Sequence, residues 1–271
     1  MPVHDDLGKR MKGYEQVAKT SLMKRVPVAI RIDGKAFHTF TKGMNRPFDN
    51  VLIESMQKTM EYLCKNIQGC VFGYTQSDEI TLILTDYKTF MTSAWYDNEV
   101  QKICSISASM ATMAFNKFFT EIAEDYIQFC ATEYETKGKC GPGTKEYELC
   151  GVYQKAMQKG AMFDSRCFNI SKEEACNLVY WRQLDATRNS IQMVGQAHFS
   201  QKELNGKSCN MIQEMLFVQK GINWNDYSIF YKRGTACIPC HAIGIEHTIW
   251  YIDKNMPILK GEDRNYLERY L

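Results

Sequence analysis

The chain has 271 residues, of which 45% are hydrophobic and 24% charged, and its net charge is +2. This length and composition are typical of a soluble globular protein with one large domain or two small ones. A charge so close to zero excludes a uniformly basic surface, so a nucleic-acid site would have to be a local patch. We find no apolar run of about 18 residues and no hydrophobic leader, and therefore predict neither a membrane span nor a secretory signal. The eleven cysteines are then expected to be reduced thiols of a cytoplasmic protein.

Strand-like and helix-like segments alternate through the first part of the chain. Asp49 is a plausible N-cap of the first long helix, and its apolar residues recur at helical spacing. The order of the segments is that of a split βαβ unit in an antiparallel, ferredoxin-like sheet, which is an α+β fold with helices on one face. The predicted elements are a strand at residues 26–32, a helix at 47–67, strands at 70–75 and 79–84, a helix at 98–119 and a strand at 161–170.

Glycine, proline and alternating charges in "TKGKCGPGTKEYELCG" predict that residues 132–160 form a loop or insertion. Two capping boxes, opened by Ser171 and Ser200, predict helices farther on. Residues 227–239 are expected to form a hairpin. We therefore expect a single catalytic domain over residues 1–271. Its core would span about 25–170, and a C-terminal helical and hairpin region would span about 171–271.

Carboxylates occupy the ends of two strands that such a sheet often makes neighbours. Asp33 follows the first strand, and Asp78 and Glu79 lie in the polar tip "TQSDE" between the next two. Converging carboxylates suit Mg²⁺, which prefers oxygen ligands and typically binds one or two carboxylates together with substrate phosphates. Two such ions can hold the attacking and leaving oxygens of a nucleotidyl transfer.

The loop after the first strand, "DGKAFHTFTKG", has the residue types of a phosphate site. Gly34 permits close backbone approach, and the side chains of Lys35, His38 and Lys42 could neutralise phosphate charge. A purely structural alternative exists, because Asp-Gly commonly forms a turn and an acidic pair at a hairpin tip is commonly solvated. From the residues alone, both interpretations remain open.

Two segments at this separation, "RIDGKAFHTFTK" and "YTQSDEITLIL", resemble those of the tRNA-His guanylyltransferase family. "FDSRCFNI", "WRQLDATRNS" and "YKRGTACI" are similar to later blocks of the same family. The resemblance implies a polymerase-like palm that extends the 5′ end of tRNA in the 3′→5′ direction. ATP or GTP would first activate the 5′-monophosphate, and the 3′-hydroxyl of an incoming nucleotide, usually GTP, would then attack it. The resemblance also implies a homo-oligomer, with a tetramer favoured.

The same resemblance implies roles for individual residues. Asp33, the Gly34 carbonyl and Asp78 would hold two Mg²⁺ ions, and Glu79 would support the metal site electrostatically. The expected catalytic residues are therefore Asp33, Asp78 and Glu79. The nucleoside triphosphate would be held by Asp33, Gly34, Lys35, Ala36, Phe37, His38, Ser77 and Asp78. Further expected contacts to phosphate or RNA are Arg31, Lys42, Lys102, Asn189, Lys232 and Arg233.

One segment departs from the pattern of the eukaryotic guanylyltransferases. After W-R-Q-x-D those enzymes continue with His-Ile-Asn-Asn, whereas this chain has Thr187, Arg188, Asn189 and Ser190. The missing histidine favours the guanylyltransferase-like branch, which is associated with template-dependent repair of 5′-truncated tRNA. The alternatives are a palm-type nucleotide cyclase and a non-catalytic RNA-binding relic.

A cysteine pair near the C-terminus, Cys237 and Cys240 followed by His241, invites a zinc or redox interpretation. A structural zinc needs a second pair of ligands, and the other cysteines lack paired spacing, so buried thiols are the favoured interpretation. Trp181 and Trp224 could stack on bases, but packing in the core is the commoner role.

Overall fold

A computed structural model describes residues 2–240 and 248–271 of the chain. Its centre is one antiparallel sheet of six strands in the order β4-β1-β3-β2-β5-β6. The strands are β1 (Val28–Gly34), β2 (Cys70–Gln76), β3 (Glu79–Leu84), β4 (Phe163–Asn169), β5 (Thr235–Cys240) and β6 (Ile249–Asp253). The helices are α1 (Pro2–Val17), α2 (Phe37–Phe40), α3 (Asn50–Asn66), α4 (Val100–Lys137), α5 (Lys145–Lys159), α6 (Lys172–His198), α7 (Gln201–Leu204), α8 (Cys209–Lys220), α9 (Ile229–Arg233) and α10 (Asn265–Glu268).

The first four strands and two long helices form the predicted split βαβ palm. Helices α3 and α4 cover one face of the sheet, where Ile30, Leu82 and Phe115 lie in the main hydrophobic core. Asp49 caps α3 as expected, because its side chain accepts the backbone N–H of Leu52 at 3.0 Å. The α+β palm predicted from the sequence is confirmed.

The C-terminal region completes the sheet and covers its other face. Ala175 and Val179 of α6 pack against Phe72 and Ile83 in a second core. Strand β5 pairs with β2, and β6 pairs with β5, so the C-terminal hairpin widens the palm sheet. Within the described part of the chain, no helix is long and apolar enough to cross a membrane.

The prediction of a loop over residues 132–160 is wrong, because most of the segment is helical, and its being an insertion stays a prediction. Helix α4 continues to Lys137 and ends at Gly138, whose φ of 65° suits a left-handed C-cap. Helix α5 then begins at Lys145 and is capped by Thr144, whose hydroxyl oxygen accepts the N–H of Tyr147 at 3.2 Å. The glycine-rich signal marks only the short connection at 138–144, because Tyr153 and other apolar residues of α5 pack into the core.

The prediction of a hairpin around Lys232, Arg233 and Gly234 is also wrong. Residues Ile229–Arg233 form the short helix α9, and Gly234 with φ 84° ends it. An added Cβ at Gly234 would lie 2.6 Å from the carbonyl oxygen of Thr75. A glycine is therefore required where the chain enters β5, and this turn separates a helix from a strand.

Candidate active site

The two acidic motifs meet at one edge of the sheet. Asp33 at the end of β1 is the direct cross-strand partner of Glu79 at the start of β3. The N–H of Gly34 donates a hydrogen bond to the carbonyl oxygen of Asp78 at 3.1 Å. A cavity of about 460 Å³ opens at this point, which is within the range of roughly 300–1,000 Å³ typical of ligand sites. Its lining residues are Asp33, Gly34, Ala36, Phe37, His38, Thr41, Leu52, Ser77 and Asp78.

Unusual backbone conformations place these groups. Ser77 and Asp78 form the tight connection between β2 and β3, and Ser77 has a φ of 50°. Its hydroxyl donates to Oδ1 of Asp78 at 2.8 Å. Gly34 is required because an added Cβ would lie 2.2 Å from the ring of Phe37. Left-handed residues cost free energy when they are not glycine, and such strain is common at functional sites.

The electrostatics of the site favour a cation. Burial raises the pKa of Asp78, the Ser77 hydrogen bond lowers it, and the charges of Asp33 and Glu79 raise it further. A bound cation would relieve both the desolvation and the repulsion between carboxylates. Among the described residues, no group of three or more His, Cys, Asp or Glu is placed to hold a metal. The carboxylates of Asp33 and Asp78 and the backbone carbonyl of Gly34 nevertheless fit Mg²⁺, which completes its coordination shell with water and phosphate oxygens.

The other wall of the cavity is the start of α2. Ala36, with φ 52°, is the N-cap residue of this single helical turn, and the first amides of a helix lack intrahelical acceptors. Phe37 has its ring buried against Phe40 and Phe163, so only its backbone is available to a ligand. Lys35 and His38 are exposed beside the opening.

One further cation lies at this wall, and no sequence pattern indicated it. Nζ of Lys159, in the last turn of α5, donates to the hydroxyl oxygen of Thr39 at 2.8 Å. Lys159 therefore contacts the residue that follows His38, although the two segments are far apart in sequence. Treating residues 132–160 as a loop concealed it, because helix α5 is what carries the lysine back to the site.

Glu79 does not line the cavity. One of its oxygens, Oε2, lies 2.7 Å from Nη2 of Arg182 and 3.5 Å from Nη2 of Arg31. Gln76 donates to the same oxygen at 3.4 Å. The carboxylate therefore faces two guanidinium groups, and its role in supporting the metal site stays a prediction. No sequence pattern indicated Arg182 as its partner.

Of the predicted phosphate contacts, two lie beside the cavity or in the pocket next to it, and two contact other side chains of the protein. Lys42 is exposed beside Thr41 of the cavity, and Asn189 lines an adjoining apolar pocket that also includes Ser77. Arg31 is partly engaged by Glu79, and the guanidinium of Arg233 lies over Trp224.

Two of the expected contacts lie elsewhere. Lys232 is buried, and its Nζ donates to the carbonyl oxygen of Asn225 at 2.6 Å. Lys102 is at the start of α4, where Nζ lies 3.9 Å from Oε2 of Glu99. In this structure the Lys232 ammonium is therefore occupied by a backbone carbonyl, and phosphate or RNA contacts of Lys232 and Lys102 stay predictions.

The suspected zinc motif receives no support from the described residues. Cys237 is buried and Cys240 exposed, and no metal-binding group of His, Cys, Asp or Glu occurs in residues 2–240 and 248–271. His241 lies outside the described residues. Trp224 is buried with its indole N–H on Ser190, whereas Trp181 is half exposed.

Comparison with known proteins decides which family this site represents. The sequence profile described as tRNAHis guanylyltransferase matches residues 8–171, which is more than half of the chain. The chain belongs to the tRNA-His guanylyltransferase family. Members of this family are nucleotidyltransferases, and the chain is one of them.

Solved structures of the family agree closely with the fold. A bacterial tRNA-His guanylyltransferase-like protein in complex with ATP is 36% identical, with a TM-score of 0.77 over 97% of this chain and 98% of that one. A bacterial protein of the same description in complex with GTP is 35% identical, with a TM-score of 0.73 over 98% of both chains. The probable tRNA(His) guanylyltransferase of Dictyostelium discoideum is 23% identical over 239 residues, covering 83% of this chain and 79% of that protein.

Proposed function

We propose that this guanylyltransferase-family protein adds nucleotides, GTP favoured, to the 5′ end of tRNA in the 3′→5′ direction. ATP or GTP would activate the 5′-monophosphate, and the 3′-hydroxyl of the incoming nucleotide would displace the activating group. The observation that carries the proposal is the meeting of Asp33 and Asp78 in one cavity, joined by the hydrogen bond from Gly34. Family members bound to ATP and to GTP support both nucleotides as substrates.

The chain's own residues would act mainly by positioning and by balancing charge. Asp33, Asp78 and the Gly34 carbonyl would hold two Mg²⁺ ions, which when bound neutralise phosphate charge and orient the reacting oxygens. The amides of Ala36 and His38 would hold the triphosphate. Such transfers need in-line placement and electrostatic stabilisation more than a protein nucleophile.

Cations at the rim would neutralise the rest of the triphosphate. Lys35 and Lys42 are exposed beside the opening, and Lys159 contacts Thr39 on the α2 side. A phosphate that replaces water at these ammonium groups gains charge-assisted hydrogen bonds. The carboxylates of Asp33 and Asp78 make the floor of the cavity negative, and these lysines make its rim positive. This arrangement suits a Mg²⁺-bound nucleotide.

We infer that the substrate range extends to 5′-truncated tRNAs. The segment Thr187 to Ser190 lacks the histidine of the eukaryotic guanylyltransferases. Identity to the bacterial guanylyltransferase-like proteins is 36% and 35%, against 23% to the Dictyostelium discoideum protein. Both facts favour template-dependent repair as an activity alongside G addition to tRNA-His.

The test is incubation with Mg²⁺, ATP, GTP and a 5′-monophosphorylated tRNA that lacks its first nucleotide. Extension at the 5′ end supports the proposal, and comparison of tRNA-His with several truncated tRNAs defines the range. A cyclic nucleotide product would instead show a palm-type cyclase. RNA binding without any nucleotide-dependent product would show a non-catalytic relic.

We also propose that residues 1–271 form one catalytic domain and that the protein acts in the cytoplasm as a homotetramer. The apolar side chains of Leu7, Met11 and Tyr14 recur along α1 and are exposed, which supports burial of this face against another copy. Sedimentation of the purified protein tests the oligomer, and a monomer at micromolar concentration would contradict it.

A further inference from the structure

A buried guanidinium group connects the acidic edge of the sheet to helix α6. The side chain of Arg182 is only 5% exposed. Its Nη2 lies 2.7 Å from Oε2 of Glu79 and 2.6 Å from Oδ2 of Asp185. Its Nε has no hydrogen-bond partner in the part of the chain that the structure describes. A buried polar atom without a partner costs free energy, so structural stability alone is a poor reason for an arginine here.

A second guanidinium group, that of Arg31, contacts the same carboxylate of Glu79. Nη2 of Arg31 lies 3.5 Å from Oε2 of Glu79. The guanidinium carbons of Arg31 and Arg182 lie 5.2 Å and 4.5 Å from the ring centroid of Trp181. Cation–π contacts at these distances are attractive, so Trp181 helps to hold both arginines beside the glutamate.

The position of Glu79 makes this restraint significant. Glu79 and Asp33 are direct cross-strand partners, so their side chains leave the same face of the sheet and start roughly 5 Å apart. A glutamate released from its arginines could therefore reach a cation held by Asp33. A third carboxylate would change the charge of the site and would compete with phosphate oxygens for coordination positions.

We propose that Arg182 is a positioning residue that, with Arg31, holds Glu79 away from the metal-binding carboxylates Asp33 and Asp78. The inference rests on the proposed metal site and adds to it the residue that limits the ligand set to two carboxylates. Loss of Arg182 frees one negative charge for the site. Loss of Glu79 leaves one positive charge beside it.

The two substitutions change the charge beside the metal site in opposite directions, so their effects on metal affinity should have opposite signs. A merely structural role would not produce effects of opposite sign. In Mn²⁺ titrations followed by the electron paramagnetic resonance of free Mn²⁺, we expect Arg182→Met to bind Mn²⁺ about tenfold more tightly than wild type. We expect Glu79→Gln to bind it about tenfold more weakly for the same Coulombic reason. In the double variant the changes cancel, and affinity should return to within about twofold of wild type.

Two further variants serve as controls. Arg188→Met removes an exposed arginine that also pairs with Asp185 but has no contact with Glu79, so its Mn²⁺ affinity should equal that of wild type. Arg182→Lys keeps the charge and should shift the affinity far less than Arg182→Met. If Arg182→Met does not fold, comparison of Glu79→Gln with the double variant still decides the question.

Activity provides the second measurement. The rate of 5′ addition should fall in Arg182→Met, because the freed glutamate occupies positions that phosphate oxygens need, and should recover at least partly in the double variant. Mn²⁺ affinities that change in the same direction for both single variants, or a double variant whose affinity differs from that of wild type by about tenfold or more, would overturn the inference. A wild-type protein that extends no RNA would refute the proposed function instead, and the Mn²⁺ titrations would still stand.

Discussion

The backbone N–H of Gly34 donates a hydrogen bond to the carbonyl oxygen of Asp78 across 3.1 Å. This bond joins the end of β1 to the connection between β2 and β3, and it brings two segments distant in sequence to one cavity. Each segment also holds a non-glycine residue in a left-handed conformation, Ala36 in one and Ser77 in the other. The shape of the site is thus set by the backbone before any ligand binds.

Replacing Asp78 should separate activity from stability. Asp78→Asn removes a proposed metal ligand, so we expect 5′ addition to fall by about a thousandfold or more. The fold should survive and gain stability, because the charge of Asp78 is partly desolvated and faces two other carboxylates. In metal-free buffer the melting temperature should rise by about 1–3 °C. A variant that retains turnover, or that unfolds, would contradict the assignment.

The difference in melting temperature between Asp78→Asn and wild type should depend on pH. Burial raises the pKa of Asp78 above its ordinary value, so the folded protein binds this proton more tightly than the unfolded chain does. The stabilising contribution is complete below the ordinary pKa of aspartate, about 4, and is lost as pH rises through the raised value. The melting temperature of Asp78→Asn minus that of wild type, measured in EDTA, should therefore increase between about pH 4 and pH 7. An equal difference at both pH values would contradict this prediction.

Divalent cations should stabilise the wild-type protein through the same residues. A ligand that binds only the folded state raises stability in proportion to the logarithm of its concentration. We expect millimolar Mg²⁺ with GTP to raise the melting temperature of wild type by a few degrees. An Asp33→Asn/Asp78→Asn variant should show little of this increase, and Glu79→Gln, with its weaker binding of the cation, should show an intermediate increase. An equal increase in all three proteins would place the cation elsewhere.

The split βαβ core was predictable because strand alternation and helical spacing fix which residues face inward. The same rules placed Asp33 and Asp78 at strand ends, where the structure brings them together. They failed over residues 132–160, because glycine and proline mark where helices stop and not how long they are. They also failed at residues 229–233, where a short helix stands in place of the expected hairpin. The pairing of Glu79 with Arg182 has no local signal and depends on the docking of α6.

Lys159 should contribute to nucleotide binding. Its Nζ lies beside Thr39 at the α2 wall of the cavity, where a triphosphate would replace the hydroxyl as its partner. We expect Lys159→Met to raise the KM for GTP about three- to tenfold with a smaller change in kcat, as loss of one phosphate contact does. Lys155→Met is the matched control, one turn earlier on α5 and exposed. Equal effects in the two variants would indicate only a general change in charge.

Lys232 should act on stability and not on catalysis. Its buried Nζ donates to the carbonyl oxygen of Asn225 and lies 5.3 Å from the ring centroid of Trp224. We expect Lys232→Met to lower the free energy of unfolding in urea by about 1–3 kcal/mol, because a buried acceptor loses its donor.

A matched control separates the hydrogen bond from the ring contact. Exposed Lys254 lies 5.4 Å from the ring centroid of Phe230, and Lys254→Met should change stability by less than about 0.5 kcal/mol. Selective loss of GTP or RNA binding in folded Lys232→Met would restore the phosphate-contact role.

The most direct test of the account is single-turnover 5′ addition to a 5′-monophosphorylated, 5′-truncated tRNA in Mg²⁺, ATP and GTP. Wild type, Asp33→Ala and Asp78→Ala would be compared at equal concentrations of folded protein. We predict a 5′-extended product with wild type and none with either variant. Extension that persists in both variants, or its absence in wild type with tRNA-His and with every truncated tRNA, would contradict it.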